Sequence, residues 1–225
     1  LLSRRQRQMC IRDSFIASFI KFGRPDVKFD GPNINYLAAA AHALALSAEV
    51  LDDPKLMAEA RRFGRGSIKY ITPKDRLIFG ETQPTGKTSP GGCKGVDLGY
   101  NVEETLPSLV GYALAAGDSE VLEAAEESMK AHIEFMLPDG AWDNSWGTRN
   151  FKWTYWGSRT SDGCQAGFAA LAGRDPRLYA AALRNLEFLE SCTENGLLCG
   201  GPHFRSGGIP ACIHHTFAHA KPLAS

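Results

Sequence analysis

Apolar residues recur at helical spacing in three segments of this chain, and the three segments follow one plan. Residues 36–70, 104–136 and 165–190 each read as a helix, a tight turn and a second helix. The second helices show the spacing most clearly, because their apolar side chains fall on one face. These positions are Val121, Leu122, Ala125, Met129, Ile133 and Met136 in one helix and Leu178, Ala182, Leu186 and Leu189 in another. The pattern predicts three helical hairpins.

The predicted turns and the segments after the second helices repeat at matching distances. An aspartate, a preferred N-cap residue, precedes Pro or Ser at each turn, at Asp53, Asp118 and Asp175. Successive turns lie 65 and 57 residues apart. The segments that follow the second helices lie 65 and 56 residues apart and begin at Pro73, Pro138 and Glu194. Agreement of two independent landmarks supports a structural repeat.

The two helices of each hairpin differ in polarity. The first helices carry few charges, as in residues 37–48, so we expect them to be buried nearly all round and to form an inner layer. The second helices are more charged and suit an outer layer. Connections between hairpins are long, roughly residues 72–100, 137–163 and 194–213. In such an array these connections share one face, where functional residues are expected.

The second long connection contains all four tryptophans of the chain, between residues 142 and 156. Flat rings cover the apolar faces of a sugar, and polar neighbours bind its hydroxyls. The expected substrate-binding residues here are Trp142, Trp146, Arg149, Trp153, Trp156 and Arg159, with Asp143 and Tyr155 as catalytic candidates. The alternative is that the rings only anchor the loop onto the protein.

Polar residues also stand where the long connections enter the inner helices. Asn101 and Glu104 are expected to bind substrate, with Asp97 beside them, and Asp162 is a catalytic candidate at the next junction. Each carboxylate has a structural alternative, because acidic residues also stabilise helix N-termini.

Four of the six histidines lie between residues 203 and 219. Histidine exchanges protons near neutral pH, so His214 and His215 are predicted to be catalytic and His203 to bind substrate. The segment lacks the His-Glu-x-x-His and Cys-x-x-Cys patterns of zinc sites, so we expect no metal and no cofactor. A structural role for most of these histidines is the alternative. Isolated His42 and His132 are interpreted as packing or surface residues.

Composition narrows the classes of partner. Formal net charge is zero, which argues against a nucleic-acid or membrane-surface partner. We also expect no apolar run long enough to span a bilayer. Without Cys10 the cysteines are odd in number and scattered, so they predict no disulfide framework and leave the cellular compartment undecided.

The N-terminal segment is interpreted as foreign to the protein. Residues 4–14 resemble the translation of a transposase-type sequencing adapter, in which Met9-Cys10-Ile11-Arg12-Asp13 corresponds to ATG TGT ATA AGA GAC. A genuine basic arm is the alternative. We therefore assign residues 1–14 to a non-native segment and residues 15–225 to one domain.

The hairpin array resembles the (α/α) toroid superfamilies, which comprise the six-hairpin glycosidases and the chondroitin, alginate and heparin lyase group. The resemblance rests on the Asp139-Gly140-Ala141-Trp142 turn after an outer helix and on the polar residues that open the inner helices. It implies an all-α fold in which three helical hairpins form part of an (α/α) toroid. Three hairpins are about half of such a ring, so the chain is expected to be a fragment.

The resemblance implies a carbohydrate-active enzyme that acts on a poly- or oligosaccharide. The first hypothesis is a polysaccharide lyase that cleaves a uronate-containing glycan by β-elimination, since His, Arg and Tyr outnumber acids in the two richest loops. The second is a glycoside hydrolase, which needs two carboxyls flanking the bond. The third is a carbohydrate-binding helical array without catalysis.

Overall fold

The structure, a computed structural model, describes residues 33–79, 95–143, 165–199 and 201–208. In order these form α1 (Ile34–Leu51), α2 (Pro54–Ile68), α3 (Leu98–Tyr100), a π-helical turn (Asn101–Thr105), α4 (Leu106–Ala116), α5 (Ser119–Ile133), α6 (Gln165–Ala170), α7 (Pro176–Ser191), strands β1 (Thr193–Glu194) and β2 (Leu197–Leu198), and α8 (Phe204–Gly207). The prediction of an all-α fold is confirmed. In the described ranges, β1 and β2 form the only sheet.

The three predicted turns are confirmed at single-residue precision. Each N-cap side chain accepts hydrogen bonds from backbone N–H groups in the first turn of its helix. The caps of α2, α5 and α7 are Asp53, Asp118 and Asp175, respectively. Pro54 and Pro176 occupy the first helical position, where the missing N–H has no consequence. Each aspartate therefore starts the second helix of a hairpin.

The first helices pack side by side, and so do the second helices. Successive contacts join α1 to α4 and α4 to α6 on one side, and α2 to α5 and α5 to α7 on the other. Asn35 Nδ2 donates to Glu104 Oε2 at 2.9 Å, and His42 lies against Gly111. Both contacts join residues with the same sequence offset, so α1 runs parallel to the π-helical turn and α4. The structure thus has the two expected layers, one of first helices and one of second helices; their assignment to the inner and outer rings of a toroid stays a prediction.

The largest of three hydrophobic clusters among the described residues lies between the two layers. Alanines on α1 allow close helix approach, and Ala38, Ala41 and Ala45 are fully buried. Larger side chains from both layers fill the space between them, among them Leu44, Phe63, Leu109, Tyr112, Met129, Phe168 and Leu178.

The expectation that inner helices are buried nearly all round is wrong for α1. Tyr36, Leu46 and Val50 are 52%, 43% and 63% exposed. Within the described residues α1 packs on α2, on the π-helical turn and on α4, so its opposite face stays open.

The expectation that no apolar segment could span a bilayer also needs correction for α1. By length and composition alone, Ile34–Leu51 could cross a membrane, with a mean hydropathy of 1.3. Core helices and signal sequences meet the same criterion. The packing of its alanines against neighbouring helices favours a core helix.

Each outer helix ends in a short antiparallel pairing, which confirms the predicted repeat of the helix exits. Ile71 pairs with Ile78, Met136 with Trp142, and Thr193 with Leu198. Left-handed residues make the turns between the paired positions, namely Arg76, Gly140, Asn195 and Gly196. The first two exits reach the layer of inner helices, because Ile78 O accepts from Asn101 and Trp142 stacks on Phe168.

Candidate functional site

A cluster of buried polar side chains lies where the connections enter the inner helices. Asn35, Asp97, Asn101, Thr105 and His132 are each at most 2% exposed. Residues Asn101–Thr105 form a π-helix, which is rare and often occurs at functional sites. The sequence pattern singled out Asn101 and Asp97 in this cluster but gave no functional signal for His132.

A chain of hydrogen bonds determines the roles of His132 and Asn101. His132 Nδ1 lies 2.7 Å from Ser128 O, and a carbonyl only accepts, so Nδ1 carries the proton. Nε2 is therefore the acceptor for Asn101 Nδ2 at 2.9 Å. The same Nδ2 donates to Ile78 O at 2.7 Å. Burial lowers the pKa of His132 from 6.5 to about 4, which keeps the imidazole neutral.

These bonds use both amide hydrogens of Asn101. Its Oδ1 is buried and has no hydrogen-bond partner among the described residues. Asn35 Oδ1, at the start of the neighbouring inner helix, is likewise buried without such a partner in the described ranges. Asn101 therefore offers this region an acceptor and has no N–H left for a carboxylate.

Asp97 of this cluster and the neighbouring Glu104 are held differently. Glu104 accepts the hydrogen bond from Asn35 across the two inner helices. Asp97 is the N-cap of α3 and accepts from Tyr100 N at 3.2 Å. The capping alternative thus accounts for the position of Asp97, whereas a cap does not explain the contact of Glu104.

The start of the tryptophan loop is tied to the core. Trp142 is 2% exposed and stacks on Phe168 with 5.6 Å between ring centroids. Asp143 N donates to Phe135 O at 2.8 Å. Trp142 therefore anchors the loop as the packing alternative proposed. The remaining candidates of this loop lie outside the described residues: Trp146, Arg149, Trp153, Tyr155, Trp156, Arg159 and Asp162.

His203 is exposed at the N-terminus of α8, two residues before Arg205, whose guanidinium pairs with Glu194 at 2.8 Å. His214 and His215 lie outside the described residues, so the expected cleft shared with the tryptophan loop stays a prediction. Among the described side chains no group of three His, Cys, Asp or Glu is arranged to hold a metal ion.

Comparison with known proteins identifies the family of this chain. The chain belongs to a polysaccharide lyase family, as expected from its resemblance. The matching family model is the ulvan lyase N-terminal domain, which covers residues 4–225. The match begins inside the segment interpreted as adapter-derived, and that interpretation stays a prediction.

A relative from Formosa agariphila, named "Broad-specificity ulvan lyase", is 51% identical over 197 residues. The alignment covers 87% of this chain and 31% of the relative, so the chain spans about a third of that protein. No solved structure matches.

Proposed function

We propose that the chain is the N-terminal part of a lyase that cleaves a uronate-containing polysaccharide of the ulvan type by β-elimination. The observation that carries the proposal is the 51% identity with a protein named as an ulvan lyase, within a family that covers nearly the whole chain. The three hairpins would form part of an (α/α) toroid completed by the rest of a longer protein.

β-Elimination needs a group that neutralises the uronate carboxylate. Asn101 does not suit that role, because His132 and Ile78 occupy both hydrogens of its amide. Arg149 or Arg159 is the proposed group that neutralises the uronate carboxylate, since a guanidinium binds a carboxylate through two parallel N–H···O hydrogen bonds. Oδ1 of Asn101 is left to accept from a hydroxyl or from a donor of a neighbouring loop.

The reaction also needs a base for the C5 proton and an acid for the leaving oxygen. His214, His215 and Tyr155 are the proposed proton-transfer residues. The exposed rings for the sugar faces would come from Trp146, Trp153 and Trp156, while Trp142 holds the loop in place. His203 and Glu104 would bind polar groups of the glycan at the rim and at the helix starts.

The test uses the full-length protein and ulvan, because the chain is about a third of its relative. Elimination creates a double bond in the product, so cleavage should be accompanied by new near-ultraviolet absorbance. His215→Ala should lower kcat by at least about 100-fold, the lower range for loss of general acid–base catalysis. Trp153→Ala should mainly raise KM.

Tyr179→Ala, at an exposed position on α7, serves as the control and should leave both constants unchanged. New chain ends without absorbance would refute elimination and turn attention to Asp143 and Asp162 as a hydrolytic pair. Tight binding of ulvan without any cleavage would instead favour the non-catalytic binding array.

A further inference from the structure

Two cysteines flank the third helix exit. In the β1–β2 pair, Thr193 is opposite Leu198 and Glu194 is opposite Leu197. Cys192 precedes this pair as the C-cap of α7, with φ −93° and ψ 2°, and Cys199 follows it. Cys199 N donates to Cys192 O at 2.7 Å, so the two backbones stay in contact one residue beyond the regular pair.

This arrangement meets the distance requirement of a disulfide. Residues joined by an N–H···O bond across an antiparallel pair have Cα atoms about 5.5 Å apart. Disulfides span Cα separations of about 4.4–6.8 Å, so the hydrogen-bonded backbones of Cys192 and Cys199 lie within reach of a bridge. Both side chains are buried, and Cys199 is near enough to contribute to the raised pKa of the Cys192 thiol.

Both thiols are free in this structure and differ in access. Cys192 packs with Phe188, Leu189 and Leu198 and is fully buried, whereas Cys199 is 5% exposed. Burial raises the pKa of Cys192 to about 11, and it also raises the pKa of Cys199. Exchange needs a thiolate, so the pair should react slowly at neutral pH and faster as the pH rises.

We propose that Cys192 and Cys199 form a redox-modification site that closes to an intramolecular disulfide when a small-molecule disulfide such as oxidised glutathione is present. The Cys199 thiolate attacks one sulfur of the oxidant, forming a mixed disulfide and releasing one small thiolate. The Cys192 thiolate then attacks the Cys199 sulfur and releases the second. The protein dithiol is oxidised, the oxidant is reduced to two thiols, and the two protein protons pass to these thiols.

The bridge would join the C-terminal end of α7 to the start of the third long connection, residues 194–213. Cys192 follows α7 directly, and Cys199 precedes the turn that leads to His203 and Phe204. The disulfide would therefore hold the base of this connection, independently of whether the proposed lyase activity is correct.

The test equilibrates the 225-residue chain in glutathione redox buffers, followed by acid quench and alkylation of the remaining thiols. Trypsin releases residues 185–205 as one peptide that contains both cysteines and no internal Lys or Arg. The bridged peptide should be about 2 Da lighter than the reduced form and resist alkylation. A second cleavage of the bridged peptide after Glu194 should leave its two parts joined through the disulfide.

The equilibrium constant for the bridge, measured against glutathione, should be at least about tenfold larger in the native chain than in urea, because the fold holds the two cysteines close together. The single variants Cys192→Ser and Cys199→Ser should each carry glutathione or alkylating reagent at the remaining thiol. Circular dichroism confirms that all samples without urea are folded.

Three results would overturn the proposal. One is a native chain whose peptide retains two alkylatable thiols or carries two glutathiones. The second is a bridge from either residue to another cysteine of the chain. The third is an equilibrium constant no larger in the native chain than in urea.

Discussion

Asp53, Asp118 and Asp175 cap three equivalent helices, but their side chains have different further partners. Asp118 is buried and also accepts from Tyr112 Oη at 2.7 Å and Arg65 Nε at 3.0 Å. Burial alone would raise the pKa of Asp118, but the bonds from Arg65 and Tyr112 outweigh it and the pKa lies below its usual value. The second turn is therefore joined to the first hairpin, since Arg65 lies on α2.

Asp118→Ala should lower the free energy of unfolding by about 2–4 kcal/mol, because it removes a cap and leaves the buried Tyr112 hydroxyl without its acceptor. The matched change Asp53→Ala removes only a cap and should lower it by about 1 kcal/mol. Urea denaturation gives both values. Adding Tyr112→Phe to Asp118→Ala should recover part of the loss. Equal effects of the two alanine variants would contradict this difference.

The buried His132 predicts a pH dependence of stability. Its folded pKa of about 4 lies below the unfolded value of 6.5, so the unfolded chain binds the proton first. The stabilisation is complete above the unfolded pKa and is lost as the pH falls towards the folded one. The free energy of unfolding should be about 2 kcal/mol lower at pH 5 than at pH 7 on this account.

The measurement is urea denaturation at the two pH values, and His132→Asn should flatten the difference. His203→Gln, at an exposed position, should leave it unchanged. An NMR titration that shows an ordinary imidazole pKa for His132 would contradict the expected burial effect directly.

At the scale of elements, the helix exits depend on residues that tolerate a left-handed backbone. Gly140 has φ 89° in the turn between Met136 and Trp142, and a Cβ there would lie 2.1 Å from Arg184 O. Asn185 Nδ2 also donates to Gly140 O at 3.1 Å. The turn that starts the tryptophan loop thus packs directly against α7 and is held by it.

Gly140→Ala should lower the free energy of unfolding by about 3 kcal/mol or more, because backbone strain is added to a clash with Arg184 O. Gly117 at the end of α4 also has a positive φ, 62°. A Cβ added there would meet no described atom within 4 Å, so Gly117→Ala measures the backbone strain without a clash. Gly117→Ala should lower the free energy of unfolding by only about 1–2 kcal/mol. Similar values from chemical denaturation would mean that the turn does not pack on α7.

At the scale of the whole molecule, the hairpins meet through positions that admit no side chain. A Cβ on Gly64 of α2 would lie 2.2 Å from Cε1 of Tyr112 on α4. Tyr112 is fully buried and bonded to Asp118, so it has little freedom to move. A Cβ added to Gly66, two residues further along α2, would meet no described atom within 4 Å.

Gly64→Ala should lower the free energy of unfolding by about 1–3 kcal/mol through overpacking. Gly66→Ala, in the same helix, should raise it by about 0.5–1 kcal/mol because alanine favours helix more than glycine. Thermal unfolding of the two variants therefore tests the contact between hairpins. Gly66→Ala reports the effect of helix propensity alone and is the reference for Gly64→Ala. A stabilising effect at both positions would refute the close approach of Tyr112.

The adapter interpretation is tested at the same scale. Deletion of residues 1–14 should leave Tm unchanged, because a foreign segment adds no packing to the fold. A fall of several degrees would show that these residues pack, in agreement with a family match that begins at residue 4.

The hairpins, their three turns and the repeated exits were predictable from the sequence, because these features depend on local signals. A cap at Asp118 or a glycine at position 140 acts within one turn of chain, and apolar spacing orients a helix whatever packs on it. The polysaccharide lyase family was one of three hypotheses that the sequence left open, and the excess of His, Arg and Tyr over acids in two loops favoured it.

The use of the candidate residues depends on packing between distant parts of the chain, which local sequence patterns do not predict. Asn101 was expected to bind substrate, but Ile78 and His132, distant in sequence, occupy its amide hydrogens. Trp142 is buried and stacks on Phe168. One face of α1 is exposed because its described neighbours lie on the other side. Such roles depend on which long-range partners reach a side chain, and no local pattern encodes those partners.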